Sequence, residues 1–313
     1  SAGIQDVTRL EVGGEMSALG QSINSLSADA ESVVGSAVGQ SQLSNEIDGL
    51  EARNIDVSSD AGIQGLAELG NSADAPTTKG TSIATADVAN LQGANLNSLN
   101  VGGVASVTGQ TSLGNTASSA NVEGGASTAL ASLSTADGLA TSASKLSGNS
   151  DQTAGVDVSS DGTLTGLASI SNSASAESTA SSADAKATAS TVDGAQLNTV
   201  EIGGVGSITG QTNFAGSADA TSVTGPTSTA DASLADADGL QGLAAIHVSS
   251  DAGLTGINSV DLTATSASTG TGTGSAASSI AEATTLQGAE LGNNTDIGGV
   301  ADIGGQVDFN ATA

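Results

Sequence analysis

The sequence predicts an all-β fold, a repetitive and elongated parallel β-solenoid. Three observations predict it: an internal repeat, a shortage of large side chains, and short alternating segments set between turn residues. Residues 101–110 (VGGVASVTGQ) return as 202–211 (IGGVGSITGQ) and 297–306 (IGGVADIGGQ), with a worn copy at 12–21 (VGGEMSALGQ). In each box an apolar residue precedes Gly-Gly, and Gly-Gln closes it. A disordered chain holds no such register, so the repeat argues for order in a composition otherwise compatible with disorder.

The 313 residues include two Phe, no Trp, no Tyr and no Cys, and the formal net charge is -28. Large apolar side chains supply most of the transfer free energy of a thick core. Here Ala, Ser, Thr and Gly take their place, which requires a thin structure held by backbone hydrogen bonds between stacked strands. An array of small antiparallel β-sandwiches, one per module, is the alternative; it ranks second because sandwiches of that size bury aromatic residues.

A second box alternates with the first. Val57-Ser-Ser-Asp60, Val158-Ser-Ser-Asp161 and Val248-Ser-Ser-Asp251 are each opened by an apolar pair (Ile55 with Val57, Val156 with Val158, Ile246 with Val248). Each is followed by Ile63, Leu164 or Leu254 in the apolar spacing that also follows Gly-Gly, so the two boxes are variants of one unit. Gly-Gln boxes lie about 95 residues apart, longer than common solenoid repeats. This predicts one repeat domain over 1–313 with modules at approximately 12–100, 101–201 and 202–296 and a partial module at 297–313. The step of 38 residues from Ile63 to Val101, and from Leu164 to Ile202, predicts two turns of about 19 residues in each half-module. About sixteen turns spaced ~4.8 Å apart would build a rod ~75 Å long.

Within the boxes, Gly-Gly reads as a tight corner. The recurring Gln110, Gln211 and Gln306 read as stacked amides that bond from turn to turn. Leu113, Phe214 and Phe309, twelve positions after the box start, read as one large plug per module at the widest point of the core. Helix is disfavoured by the Gly, Ser, Thr and Val content. Residues 72–75 and 217–220 (SADA) and 173–176 (SASA) alternate as strands do. Asp137-Gly138, Asp161-Gly162, Asp193-Gly194 and Asp238-Gly239 read as turns.

Composition also narrows function. Without cysteine there are no disulfides and no thiolate metal sites. Five basic residues (Arg9, Arg53, Lys79, Lys145, Lys186) cannot form a basic patch, which excludes nucleic acid and anionic lipid as partners. No apolar run approaches the ~18 residues of a membrane helix, so no membrane insertion is expected. The chain starts at Ser1 without Met, which reads equally as a mature end after removal of a leader or propeptide and as the cut end of a longer chain. With few sites for trypsin-like proteases, it suits an extracellular or cell-surface location.

Candidate chemistry is sparse. His247, the only histidine, sits between Ile246 and Val248 and matches Asp157 and Asp56 in the other modules; it reads as an outward position rather than a catalytic base. No Gly-x-Ser-x-Gly elbow follows an apolar strand. Asp60, Asp161 and Asp251 recur at one offset and Asp236 with Asp238 forms Asp-x-Asp-Gly, the oxygen-rich kind of turn that calcium favours. The full ligand pattern of known calcium loops is missing, so capping of the turn is the preferred reading. The glycine-rich boxes lack the Lys or Arg of a phosphate cradle. Asn293-Asn-Thr295 and Asn310-Ala-Thr312 match the glycosylation triplet incidentally. The run at 269–274 (TGTGTG) suggests ice binding, but Thr-x-Thr recurs only sporadically. No catalytic, cofactor-binding or metal-ligating residue is therefore assigned, and calcium is the one ion the carboxylates suggest.

In its acidic, cysteine-free, Gly/Ser/Thr/Ala-rich repeats with recurring Gly-Gln and Asn, the chain resembles the secreted repeat-rich surface proteins of bacteria: adhesin stalks, extracellular filament subunits and curli-like fibres. It departs from the shorter curli repeat. The resemblance implies a non-enzymatic structural subunit of an extracellular filament or surface fibre, a homopolymer joined by β-edge or end-to-end contacts. Neither end carries a polar cap, and exposed strand edges template other chains; residues 10–12 (LEV) are a strand that a neighbour's sheet could accept. An adhesin or phage-fibre stalk that binds glycans or surfaces, including ice, is the alternative. A polysaccharide-acting β-helix enzyme comes third, for want of aromatic subsites.

Overall fold

The computed structural model describes residues 4–7, 10–141, 155–270, 275–292 and 294–313. Strands and turns account for the described residues, with no helix among them, and every strand pairing is parallel. Antiparallel sandwiches are thereby excluded.

The described residues make seven successive circuits, each crossing a 12-stranded sheet (here sheet A) and then an 8-stranded sheet (sheet B). The first circuit comprises β1 (Ile4–Val7), β2 (Leu10–Val12), β3 (Met16–Asp29) and β4 (Ser32–Val34). The second has β5 (Ala37–Ala52), β6 (Ile55–Val57) and β7 (Ala61–Lys79); the third has β8 (Ser82–Leu96), β9 (Leu99–Val101) and β10 (Ala105–Glu123). The fourth has β11 (Ser127–Thr141), β12 (Val156–Val158) and β13 (Gly162–Ser178); the fifth has β14 (Ala183–Ile202) and β15 (Gly206–Ser222). The sixth has β16 (Thr227–Val248) and β17 (Ala252–Ser268), and the seventh β18 (Ala276–Leu291), β19 (Asn294–Ile297) and β20 (Ala301–Thr312).

Each strand pairs with its counterpart in the next circuit. Ala105 of β10 lies between Ala61 of β7 and Gly162 of β13, and the register continues residue by residue along the strand. The expected turn of about 19 residues is corrected by this register. Asp60 and Val104 occupy adjacent circuits at a separation of 44 residues, as do Asp161 and Val205. Half a module is one circuit with two long strands, not two short turns. The expected length is corrected with it: six steps of ~4.8 Å stack to about 30 Å, while the 20 residues of β14 extend over about 60 Å. The long dimension runs along the strands, not along the stack.

Alternation explains the strands. In β7, buried Ala61, Ile63, Ala67, Leu69, Asn71, Ala73 and Ala75 alternate with outward side chains, as a strand with one face inside requires. The SADA and SASA segments lie in β7, β15 and β13, as expected. Three of the four Asp-Gly pairs are not turns. Asp137-Gly138, Asp193-Gly194 and Asp238-Gly239 lie inside β11, β14 and β16, and only Asp161-Gly162 stands at a corner.

Those strand glycines have a packing role. Gly93, Gly138, Gly194, Gly239 and Gly288 of sheet A face Gly65, Gly109, Gly166, Gly210 and Gly256 of sheet B, and a Cβ on any of them would collide with backbone of the opposite sheet. The two sheets therefore touch main chain to main chain along a waist. It divides the interior into two clusters. On one side, next to the corners, lie Ile55, Val57, Leu99, Val101, Leu197 and Ile202 with their neighbours. On the other, a rank of large residues gives way to a long alanine-lined tail that includes Ala84, Ala86, Ala129, Ala131, Ala185 and Ala187.

The large rank contains the expected plugs, but it recurs in every circuit from the second onward: Leu69, Leu113, Ile170, Phe214, Val260 and Phe309 are in register. Leu113 and Phe214 are buried, whereas Phe309 in the last strand is 45 % exposed. Beyond the tail the chain turns back to sheet A, with Gly80 and Gly124 at positive φ, a conformation that glycine adopts without strain. Hydroxyl groups close this end: Ser178 Oγ donates to Gly125 O at 2.9 Å, and Ser222 Oγ to Ser181 O at 2.6 Å.

Candidate functional site

The corners carry the most specific geometry. Both box types are corners between sheets A and B, and they alternate from one circuit to the next. Gly102 N–H donates to Val57 O at 2.7 Å, and Gly103 N–H to Ser59 O at 3.0 Å. The next amide, Val104 N–H, donates to Asp60 Oδ1 at 2.8 Å. The arrangement repeats with Val205 on Asp161 and Val300 on Asp251, each at 2.8 Å. The Ser-Ser-Asp carboxylates thus cap the circuit that follows, the role preferred for them over metal binding. Gly-Gly is required on the receiving side, since a Cβ at Gly103, Gly204 or Gly299 would occupy the place of the Asp60, Asp161 or Asp251 carboxylate.

A second ladder lies beside the waist. Asp48, Gln92, Asp137, Asp193, Asp238 and Gln287 are in register across six circuits. The four aspartates are at most 3 % exposed. Gln92 Nε2 donates to Asp137 Oδ2 at 3.0 Å and Gln241 Nε2 to Asp238 Oδ2 at 2.9 Å. The Oδ1 atoms of Asp48, Asp137 and Asp238 find no hydrogen-bond partner among the described residues. Burial disfavours the charged form and, with the charge of Glu46, raises Asp48 to about 7; burial raises Asp137 to about 6. Burial and the neighbouring Asp137 and Asp238 raise Asp193 to about 8, while burial and Asp236 raise Asp238 to about 6. Asp236 is also raised, by burial first and Glu290 second. Among the described residues, no three His, Cys, Asp or Glu side chains converge as a metal site.

The amide ladder expected from Gln110, Gln211 and Gln306 does not form. Gln110 lies between Leu66 and Leu167, and Gln211 between Leu167 and Ile257. An amide ladder exists elsewhere: Asn71 Nδ2 donates to Asn115 Oδ1 and Asn115 Nδ2 to Asn172 Oδ1, both at 3.0 Å, inside the core. The same amides bond carbonyls of sheet A, as Asn172 Nδ2 does with Thr188 O at 2.8 Å. Stacked asparagines therefore tie circuit to circuit and sheet to sheet. The sequence signal was a small residue followed by Asn at a constant offset after the corners of the second, third and fourth circuits.

Other sequence candidates are scattered. His247 is outward, in an exposed rank with Glu11, Asp56, Asn100, Asp157, Glu201 and Asp296, and its Nδ1 lies 3.4 Å from Asp296 Oδ2. Leu10–Val12, read as a strand to donate, is β2 and pairs with β6 of its own chain. The last four residues of the run at 269–274, and Asn293 of the first glycosylation triplet, lie outside the described residues, as do Arg9 and Lys145; Asn310 is exposed on β20. Threonines that look sporadic in sequence form a rank on the outer face of sheet B, where Thr108, Thr165, Thr209 and Thr255 are in register. A shallow groove on that face is lined by Ser112, Gly114, Ser169, Ser171 and Asn213, with Phe214 beneath.

The outermost strands complete the inventory. On β20, Ile303, Val307 and Phe309 are about half exposed, although they follow the register of Leu254, Asn258 and Val260, which are buried one circuit below. Comparison with family models, curated proteins and solved structures gave no match for this chain.

Proposed function

We propose that the chain is a parallel β-solenoid with a non-enzymatic, structural role, a subunit of an extracellular filament or surface fibre that assembles through its strand edges. One observation supports this above the others: the inward-register side chains of β20 are half exposed, and no described residue pairs with its outer edge. Such an edge offers unpaired N–H and C=O groups together with apolar surface, and a further circuit satisfies both. Electron microscopy and sedimentation of the purified chain test the proposal. Filaments or end-to-end oligomers are the expected result; monomers under all salt and calcium conditions would overturn it.

The hydroxyl face of sheet B supports a second reading, an adhesin surface for glycans or crystalline solids. The aligned Thr108, Thr165, Thr209 and Thr255 favour it, since a rank of one residue type at the strand spacing of ~4.8 Å is a regular template. Glycan-array and ice-affinity assays test it, and silence in both would sink it.

A further inference from the structure

We infer that the open face of the first circuit is a docking surface for a parallel β-circuit that carries an apolar-Ser-Ser-Asp corner. The inference rests on the proposed stacking function and specifies the partner of that edge.

Three Gly-Gly corners show how the interface is built. Those of the third, fifth and seventh circuits each lie over a Ser-Ser-Asp corner, accept its carboxylate at the following amide, and leave no space for a side chain. The first circuit has the same corner, Val12-Gly13-Gly14-Glu15. Here a Cβ on Gly13 or Gly14 would meet nothing within 4 Å. The socket is formed, and among the described residues nothing fills it. Glu15 N–H is the counterpart of the capped amides of Val104, Val205 and Val300. The flanking strands continue the match, because Leu10 and Val12 pair upward with Ile55 and Val57 and no described residue pairs with their lower edge.

End-to-end contact with a second copy would pair the strand edges but leave this corner without its carboxylate cap. The seventh circuit of that copy ends in Gly298-Gly299, and the contact would set Gly-Gly against Gly-Gly with no carboxylate for Glu15 N–H. The three Ser-Ser-Asp corners of that copy are already engaged. The partner is a circuit of the Ser-Ser-Asp type with a free upper face.

A fluorescent peptide of residues 245–263, the segment that lies beneath a Gly-Gly corner in the sixth circuit, is the probe. It is expected to bind the full chain saturably in fluorescence anisotropy. Loss of one charge-assisted hydrogen bond predicts a fall in affinity of about tenfold for a peptide carrying Asp251→Ala. Filling the socket with Gly14→Val or Gly13→Val should weaken binding at least as much while circular dichroism stays unchanged. A control peptide of residues 294–312, with a Gly-Gly corner, is expected not to compete. No binding to the unmodified chain, equal binding to both socket variants, or equal binding by the Asp251→Ala or control peptide would each overturn the inference. Filament formation by the chain alone is read separately by electron microscopy, so the stacking function stands or falls independently of the corner match.

Discussion

The interior of this protein is built in two ways on the two sides of one glycine waist. Near the corners, Leu, Ile and Val fill the space between the sheets; in the far tail, alanine does. Both regions are closed to solvent, yet their cohesion differs. The aliphatic side gains from apolar area removed from water. The alanine side has little such area per residue, and it is joined by backbone ladders and by Asn71, Asn115 and Asn172 at the near end of the tail. A thin core is thus stable where polar groups inside it are paired, and sensitive wherever a side chain is enlarged.

The sharpest way to break this comparison is at the waist. Gly138→Val would drive a branched side chain into the backbone of Leu167 and Gly194, so loss of the cooperative unfolding transition is expected by circular dichroism. Opposite substitutions should then distinguish the two sides. Leu197→Ala is expected to cost about 3 kcal/mol in denaturant titration, through lost burial and a cavity. Ala187→Leu on the other side is expected to cost a similar ~3 kcal/mol through overpacking, although it adds apolar surface. If Ala187→Leu stabilised the protein, the tail would not be close-packed.

The aspartate ladder yields a pH prediction. Asp137 is protonated more readily in the fold than in the unfolded chain, so its contribution is fully present below the unfolded value near 4 and is lost as pH rises through about 6. Asp48 and Asp193 extend the window to about 7 and about 8. The protein is therefore expected to be more stable at pH 5 than at pH 8. Asp137→Asn should raise stability at pH 8 by about 3 kcal/mol, by roughly half as much at pH 5, and change it little only below pH 4, since a tenfold change in proton affinity on folding corresponds to ~1.4 kcal/mol. The exposed Asp157→Asn is the control for general relief of negative charge, and an equal effect there would remove the ladder's role.

Smaller effects remain. Asn115→Ala leaves the amides of Asn71 and Asn172 each short of a partner and is expected to cost about 2 kcal/mol in the same titration. His247→Ala on the exposed rank is expected to change stability by less than about 0.5 kcal/mol, because a solvent-exposed side-chain contact contributes little.

Strands, corners and the all-β class were legible in the sequence because alternation and Gly-Gly recur at constant offsets. The circuit length was not. Gly-Gln boxes fall on alternate circuits, so comparing them relates a circuit to its second neighbour, whereas hydrogen bonds join it to the first. For that reason Gln110 looked like a stacking amide although Leu66 and Leu167 flank it. Asp-Gly misled for a related reason: Gly138 is selected by contact between sheets, which leaves the same local signature as a turn. The Asp60 cap was legible as a recurring carboxylate, but its receiver, Val104 N–H, lies 44 residues away and emerges only from the register.

The alternation of corners imposes a parity on chain length. Removing two adjacent circuits sets every remaining Ser-Ser-Asp under a Gly-Gly, as before. Removing one brings like corners together, either glycine pairs without a carboxylate or Ser-Ser-Asp side chains competing for one space. Insertions obey the same rule, so a lineage of such proteins can lengthen or shorten in pairs of circuits at little structural cost, and odd numbers are penalised at the splice.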